Sequence, residues 1–267
     1  MSRLATRFAQ LKSQQRKALV SYVMAGDPHP QVTVPLLHQM VDAGVDVIEL
    51  GLPFSDPMAD GPVIALAAER ALAAGTNTLD ALEMVKQFRE KDTETPVVLM
   101  GYLNPVEVIG YERFVSTAHE CGVDGVLLVD LPPEEAKDLK VVLKKFDMDQ
   151  IFLLAPTSTD QRIQHVVNQA SGFIYYVSLK GVTGAATLDV NEVAQRIEKI
   201  KSTTDVPVGV GFGISDAASA KAIGSVADAV IVGSAFVKPF AQTTPEQAVE
   251  QAVNKVKELR AALDELV

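Results

Sequence analysis

The sequence predicts an α/β fold, a (β/α)8 TIM barrel with an extra N-terminal helix and an insertion after strand two. Three observations carry that expectation. Eight apolar runs rich in Val, Ile and Leu begin at residues 18, 45, 96, 125, 150, 173, 207 and 229 of a 267-residue chain. Their apolarity is continuous rather than alternating, as in parallel strands covered by helices. Most of the starts lie 22–34 residues apart, room for a strand, a helix and two short loops. A doubly wound open sheet would show fewer strands and often a G-x-G-x-x-G turn after the first. The glycines present, Gly209, Gly211 and Gly213, read G-x-G-x-G and lie on the seventh run.

Each remaining element has its own signature. Leu4, Phe8 and Leu11 share one helical face. Their segment bears Arg3, Arg7, Lys12, Arg16 and Lys17 and no acid before residue 27, a composition also found in mitochondrial transit peptides. A strand-like run starting at Ala18 leaves little to cleave, so the segment reads as an amphipathic helix. Helical patterns fill the gaps at Val34–Val41, Ala65–Ala73, Leu79–Phe88, Val108–Ala118, Glu134–Phe146, Gln161–Ala170, Val190–Ile200 and Ala217–Ala222. Thr244, Pro245 and Gln247 open a last helix with a capping signature. The 51-residue spacing between the second and third runs holds a long loop and an extra helix. With no linker or compositional break, residues 1–267 read as one domain.

Composition excludes several functions. A net charge of −10 argues against a nucleic-acid backbone as the main partner. One cysteine, Cys121, forbids an intrachain disulfide and fits a reducing compartment; it ends a predicted helix and reads as core. No uncharged apolar stretch approaches the ~20 residues of a membrane span, so a cytoplasmic protein is expected. The histidines, His29, His38, His119 and His165, are scattered, and no metal site is expected.

In this fold the chemistry sits at the C-terminal ends of the strands. Alternation along the second run puts Val45, Val47 and Glu49 on one face, assigned to the barrel interior. A carboxyl among apolar neighbours there is costly unless used, and its pKa would be raised toward proton-transfer work. The loop 51-GLPFSDPMADGP-62 carries Asp56 and Asp60; each alone reads as turn chemistry, but Glu49 and Asp60 converge on one barrel mouth. Glycines recur at the ends of the last three strands, in 181-GVTG-184, 211-GFG-213 and 233-GS-234, as a phosphate site would need. Tyr22, Tyr102, Tyr175 and Phe212 fall on strands one, three, six and seven and can cradle a flat, apolar substrate. Lys180 offers a rival Schiff-base chemistry, and a phosphate-sensing subunit with a silent site is a non-catalytic reading.

These residues carry a resemblance. The segments 49-ELGLPFSDPMADGP-62, 175-YYVSLKGVTGA-185, 211-GFGIS-215 and 233-GSA-235 resemble the tryptophan synthase alpha subunit family, with the likeness running over essentially the whole length. The resemblance implies a barrel that cleaves indole-3-glycerol phosphate to indole and glyceraldehyde 3-phosphate, with Glu49 and Asp60 as the catalytic pair. It implies phosphate contacts from Gly184, Gly213, Gly233 and Ser234, and site-lining positions at Tyr175 and Thr183. It departs from the family at Leu179-Lys180, where members often carry an arginine. It also implies a beta-subunit partner, met at the loop around Pro53 and Asp56, in an alpha2-beta2 heterotetramer. Pyridoxal phosphate is expected only in that partner and no cofactor in this chain.

Overall fold

The computed structural model describes residues 2–178, 190–211 and 213–267. In chain order the elements are α1 (Arg3–Ser13), β1 (Ala18–Met24), α2 (Pro30–Asp42), β2 (Val47–Gly51), α3 (Pro62–Ala73), α4 (Thr78–Arg89) and β3 (Val97–Gly101). They continue with α5 (Leu103–Ile109), α6 (Tyr111–Cys121), β4 (Gly125–Leu128), α7 (Lys137–Lys145), β5 (Asp149–Gln150), β6 (Phe152–Leu154), α8 (Asp160–Gln169) and β7 (Ile174–Val177). Last come α9 (Val190–Lys201), β8 (Val208–Gly211), α10 (Ala217–Gly224), β9 (Ala229–Val232), α11 (Ser234–Val237), a 3-10 turn (Lys238–Ala241) and α12 (Pro245–Asp264).

All strand pairs are parallel, in the order β5-β4-β3-β2-β1-β9-β8-β7-β6. The fifth apolar run forms both β5 and β6. Its first half pairs with β4 and, past Ile151, its second half pairs with β7, so the sheet curls into a nearly closed barrel. Side chains pointing inward, among them Val20, Val47, Val98, Leu127, Ile151, Phe173 and Ile231, pack with Leu4, Phe8 and Leu11 of α1. The Phe8 and Phe173 rings meet at 5.9 Å, so α1 closes the N-terminal end of the barrel. Side chains pointing outward pack beneath the helices in a second, larger layer.

Three expectations need correction. Val45 precedes β2 and packs in the outer layer, because the strand's alternation starts only at Val47. The single helix expected over Val108–Ala118 is two helices, α5 and α6, parted at Gly110 with φ 87°, a conformation no helix continues through. The helix expected from Glu134 starts at Lys137, after the turn that follows Pro132 and Pro133. The capping at Thr244 is present, its hydroxyl accepting from the Gln247 N–H at 3.4 Å.

One polar device recurs at the N-terminal end of the strands. Asp46, Asp124 and Asp228 stand immediately before β2, β4 and β9 and accept the backbone N–H of Leu19, Val97 and Val208 at 2.9, 2.8 and 2.9 Å. Each carboxylate thus ties its own strand to the neighbour and fixes their relative height. Cations complete the contacts: Arg260 on Asp46 at 3.0 Å, Arg3 and Arg89 on Asp124 at 2.9 Å each, and Lys201 on Asp228 at 2.6 Å. Asp46 and Arg260 are both buried. Removing one member of such a pair strands the other charge, at a cost of about 3–5 kcal/mol. Asp46→Ala is therefore expected to lower unfolding free energy by that amount in urea titrations, while Asp264→Ala, at the exposed side of Arg260, costs under about 1 kcal/mol.

Candidate active site

The second strand delivers Glu49 into the barrel. In the ladder its neighbours are Tyr22 on β1 and Val98 on β3. The side chain is 0% exposed, and among the described residues neither carboxyl oxygen has a hydrogen-bond partner. Burial with nothing to offset it pushes the pKa up to about 8, so Glu49 holds its proton at neutral pH.

The loop that follows places the second carboxyl. Pro53 and Pro57 stiffen it, the Asp60 N–H donates to Pro57 O at 3.0 Å, and Gly61 and Pro62 start α3. Tyr102, just beyond β3, anchors it: its hydroxyl accepts the Ala59 N–H at 3.0 Å and donates to the Asp60 carboxylate. Phe54 packs on the Tyr102 ring at 5.5 Å. Asp60 is half-buried. Desolvation raises its pKa to about 6 against the Tyr102 hydrogen bond, which leaves it ionised at neutral pH.

The other expected residues divide by position. Tyr22 and Tyr175 stand buried on β1 and β7. Each leans over a glycine of the next strand: a Cβ on Gly51 would lie 2.2 Å from the Tyr22 hydroxyl, and one on Gly211 would lie 2.3 Å from that of Tyr175. Tyr102 is buried too, but it follows β3 rather than lying on it. Gly213 has φ 75° and open space where a side chain would project, and Gly233 and exposed Ser234 open α11 after β9. Pro53 is buried under its loop, while Asp56 is exposed beside Met58, itself 80% exposed. Lys180, Thr183, Gly184 and Phe212 lie outside the described residues, as does Leu179. Among the described residues no cluster of His, Cys, Asp or Glu is placed to hold a metal, and no helix is long and apolar enough to cross a membrane.

Two supports of the site were not legible beforehand. Tyr102 was expected as a wall and serves also as the hydrogen-bond partner of Asp60. Asp27, after β1, grips Arg70 of α3 through two bonds of 2.7 and 2.8 Å and so fixes the helix that leaves Asp60. No spacing rule links residues that far apart in sequence. A groove of about 580 Å³ between α2 and α12, lined by Val32, Pro35, Val249 and Val253, lies on the outer surface and shares no residue with the two carboxyls.

The folded chain keeps the Glu49 proton up to about pH 8, whereas an unfolded carboxyl releases it near 4.5. That proton affinity stabilises the fold fully below about pH 4.5, and the benefit is lost as pH rises through 8. Glu49→Gln has no proton to lose. Its stability relative to the parent chain is expected to rise by about 2–4 kcal/mol between pH 5 and pH 8.5, at roughly 1.4 kcal/mol per unit. Urea midpoints at the two pH values measure this, and a flat difference would mean a solvated carboxylate.

Known proteins share the sequence and the fold of this chain. The family model described as Tryptophan synthase alpha chain matches residues 8–266. The chain is 86% identical to the tryptophan synthase alpha chain of Acinetobacter baylyi and 85% identical to that of Acinetobacter baumannii, each over the full length of both chains. Among solved structures, tryptophan synthase subunit alpha from Legionella pneumophila superposes with a TM-score of 0.91 at 42% identity, covering 99% of each chain.

Proposed function

Because the chain belongs to the tryptophan synthase alpha chain family, we propose that Glu49 and Asp60 carry out the family's reaction, with Glu49 as the proton shuttle and Asp60 as the partner of the indole ring nitrogen. The chain is a carbon–carbon lyase of tryptophan biosynthesis, and the reaction is the retro-aldol cleavage of indole-3-glycerol phosphate to indole and glyceraldehyde 3-phosphate. What supports the assignment of roles is the contrast between the two carboxyls. Glu49 is fully buried without a hydrogen-bond partner among the described residues, which raises its pKa to about 8. Asp60 is half-buried and held by the Tyr102 hydroxyl, and its pKa rises only to about 6.

The chemistry uses that difference. Protonated Glu49 delivers a proton to the ring carbon that bears the glycerol chain, and positive charge develops on the ring nitrogen. The Asp60 carboxylate, oriented by Tyr102, accepts the nitrogen's hydrogen bond and offsets that charge. Glu49, now ionised, takes the proton of the chain hydroxyl next to the scissile bond. The carbon–oxygen double bond forms, the carbon–carbon bond breaks, and its electron pair restores the indole. Glu49 ends the cycle protonated.

The buried phenol rings of Tyr22, Tyr102 and Tyr175 supply a flat, apolar enclosure suited to indole, to which Phe212 would add. Backbone amides around Gly213, Gly233 and Ser234, with Gly184, would hold the phosphate, and Thr183 would contact the substrate. The open space at Gly213 supports that reading. No step needs a cofactor of this chain, and pyridoxal phosphate belongs to the beta subunit of an alpha2-beta2 heterotetramer. Residues 1–267 act as a single domain in the cytoplasm. The beta subunit meets the loop after β2, around Pro53 and Asp56: Asp56 and Met58 are exposed there, as is Val108 of α5 after β3, at 82%, while Pro53 is buried.

Assay of indole release from indole-3-glycerol phosphate tests the roles. Glu49→Gln is expected to lose about 10³–10⁴-fold in kcat, the upper end for a general acid–base group serving two transfers. Asp60→Asn should lose at least about 10²-fold. A variant at position 49 retaining more than about a tenth of the activity would remove Glu49 from the mechanism. Saturating beta subunit should raise kcat/KM about 5–150-fold by holding the Asp60 loop in its working arrangement, and Asp56→Ala should weaken that gain. Equal kcat/KM with and without the partner would contradict the coupling.

A further inference from the structure

Tyr22 holds a polar atom where packing alone needs none. Its ring rises from β1 beside Glu49, and its hydroxyl comes to rest two residues higher on β2, over Gly51. Gly233 flanks the base of the ring, where a Cβ would stand 3.3 Å from that of Tyr22. The side chain is 6% exposed, and the hydroxyl's hydrogen-bond contact among the described residues is the Met24 thioether at 4.0 Å. A thioether is a weak acceptor, and an under-satisfied buried hydroxyl is a cost that a phenylalanine of the same outline would avoid. Native structures retain such groups where a partner arrives.

The surroundings indicate which partner. Burial first, and then the nearby Asp60 and Glu49 carboxyls, hold the phenol in its neutral form. Among the described residues Glu49 itself has two unpartnered oxygens. A neutral O–H donor therefore stands on the mouth side of the proton shuttle, within the electrostatic reach of both carboxyls. We propose that the Tyr22 hydroxyl binds the substrate chain, donating to the hydroxyl oxygen beside the breaking carbon–carbon bond and turning its proton toward Glu49. The inference rests on the assignment of Glu49 above. During cleavage the substrate hydroxyl proton passes to the Glu49 carboxylate and its oxygen becomes the aldehyde carbonyl. Tyr22 keeps its own proton throughout and donates to that oxygen before and after the step.

Tyr22→Phe isolates the hydroxyl, because the ring and its packing on Gly51 and Gly233 remain. In the complex with the beta subunit, kcat/KM for indole-3-glycerol phosphate is expected to fall about tenfold, the loss of one productive hydrogen bond. The dissociation constant of indole-3-propanol phosphate, which lacks both chain hydroxyls, should stay within about twofold, since a hydroxyl with no partner on the ligand contributes little. Unchanged kcat/KM, or equal weakening toward the hydroxyl-free analogue, would overturn the proposal. Glu49→Gln is measured alongside. If it too cleaves at the parent rate, the assignment of Glu49 fails and takes this inference with it; if only Glu49→Gln is impaired, this inference fails alone.

Discussion

Everything at the working end of this barrel depends on strand register. Parallel strands are joined through long crossovers, so no tight turn sets the height of one against the next. Here three aspartates do so, each reaching from the foot of one strand to an amide of its neighbour. With β1 and β2 locked this way, Tyr22 and Glu49 fall at one level and Gly51 falls where the phenol ends. A slip of one residue would turn Glu49 outward into the helix layer and bring Ile48 inside. The clamps lie at the end of the barrel opposite the chemistry, which leaves the loops above the strands free to be shaped by function.

Within that frame, two carboxyls acquire opposite character from their surroundings. Glu49 is fully buried with no hydrogen-bond partner among the described residues, and it stays neutral. Asp60 sits on a half-buried loop with a phenol donating to it, and it ionises two units lower. Proton delivery and charge compensation need a neutral acid and an anion together. The fold obtains both by placing one group on a strand and the other on a proline-stiffened loop.

Much of this was written plainly in the chain. Continuous apolar runs at near-regular spacing mark the strands, and a carboxyl interrupting one of them marks the site. The errors share a physical origin. Val45 looks like a strand residue because periodicity does not say where pairing begins, and Gly110 looks like one residue of a helix until its positive φ is known. The pairs Tyr102–Asp60 and Asp27–Arg70 join positions brought together by the side-by-side pairing of neighbouring strands. The aspartate clamps did leave a trace, the tripeptide Gly-Val-Asp at 44–46 and again at 122–124. Its meaning lies in an amide on the adjacent strand, which no local pattern contains.

The tyrosine–glycine contacts carry a genetic consequence. Every missense change in a glycine codon adds at least a Cβ, and at positions 51 and 211 that atom would land 2.2 and 2.3 Å from a phenol oxygen. Both codons therefore lack missense neighbours that fit, and a substitution at either must displace a ring from the cleft. Gly61, only ten residues along, has empty space around it and tolerates the same mutations sterically. Two glycines in one segment thus differ wholly in steric freedom: a side chain at one meets open space, while the other is held because the absence of an atom is what shapes the cavity.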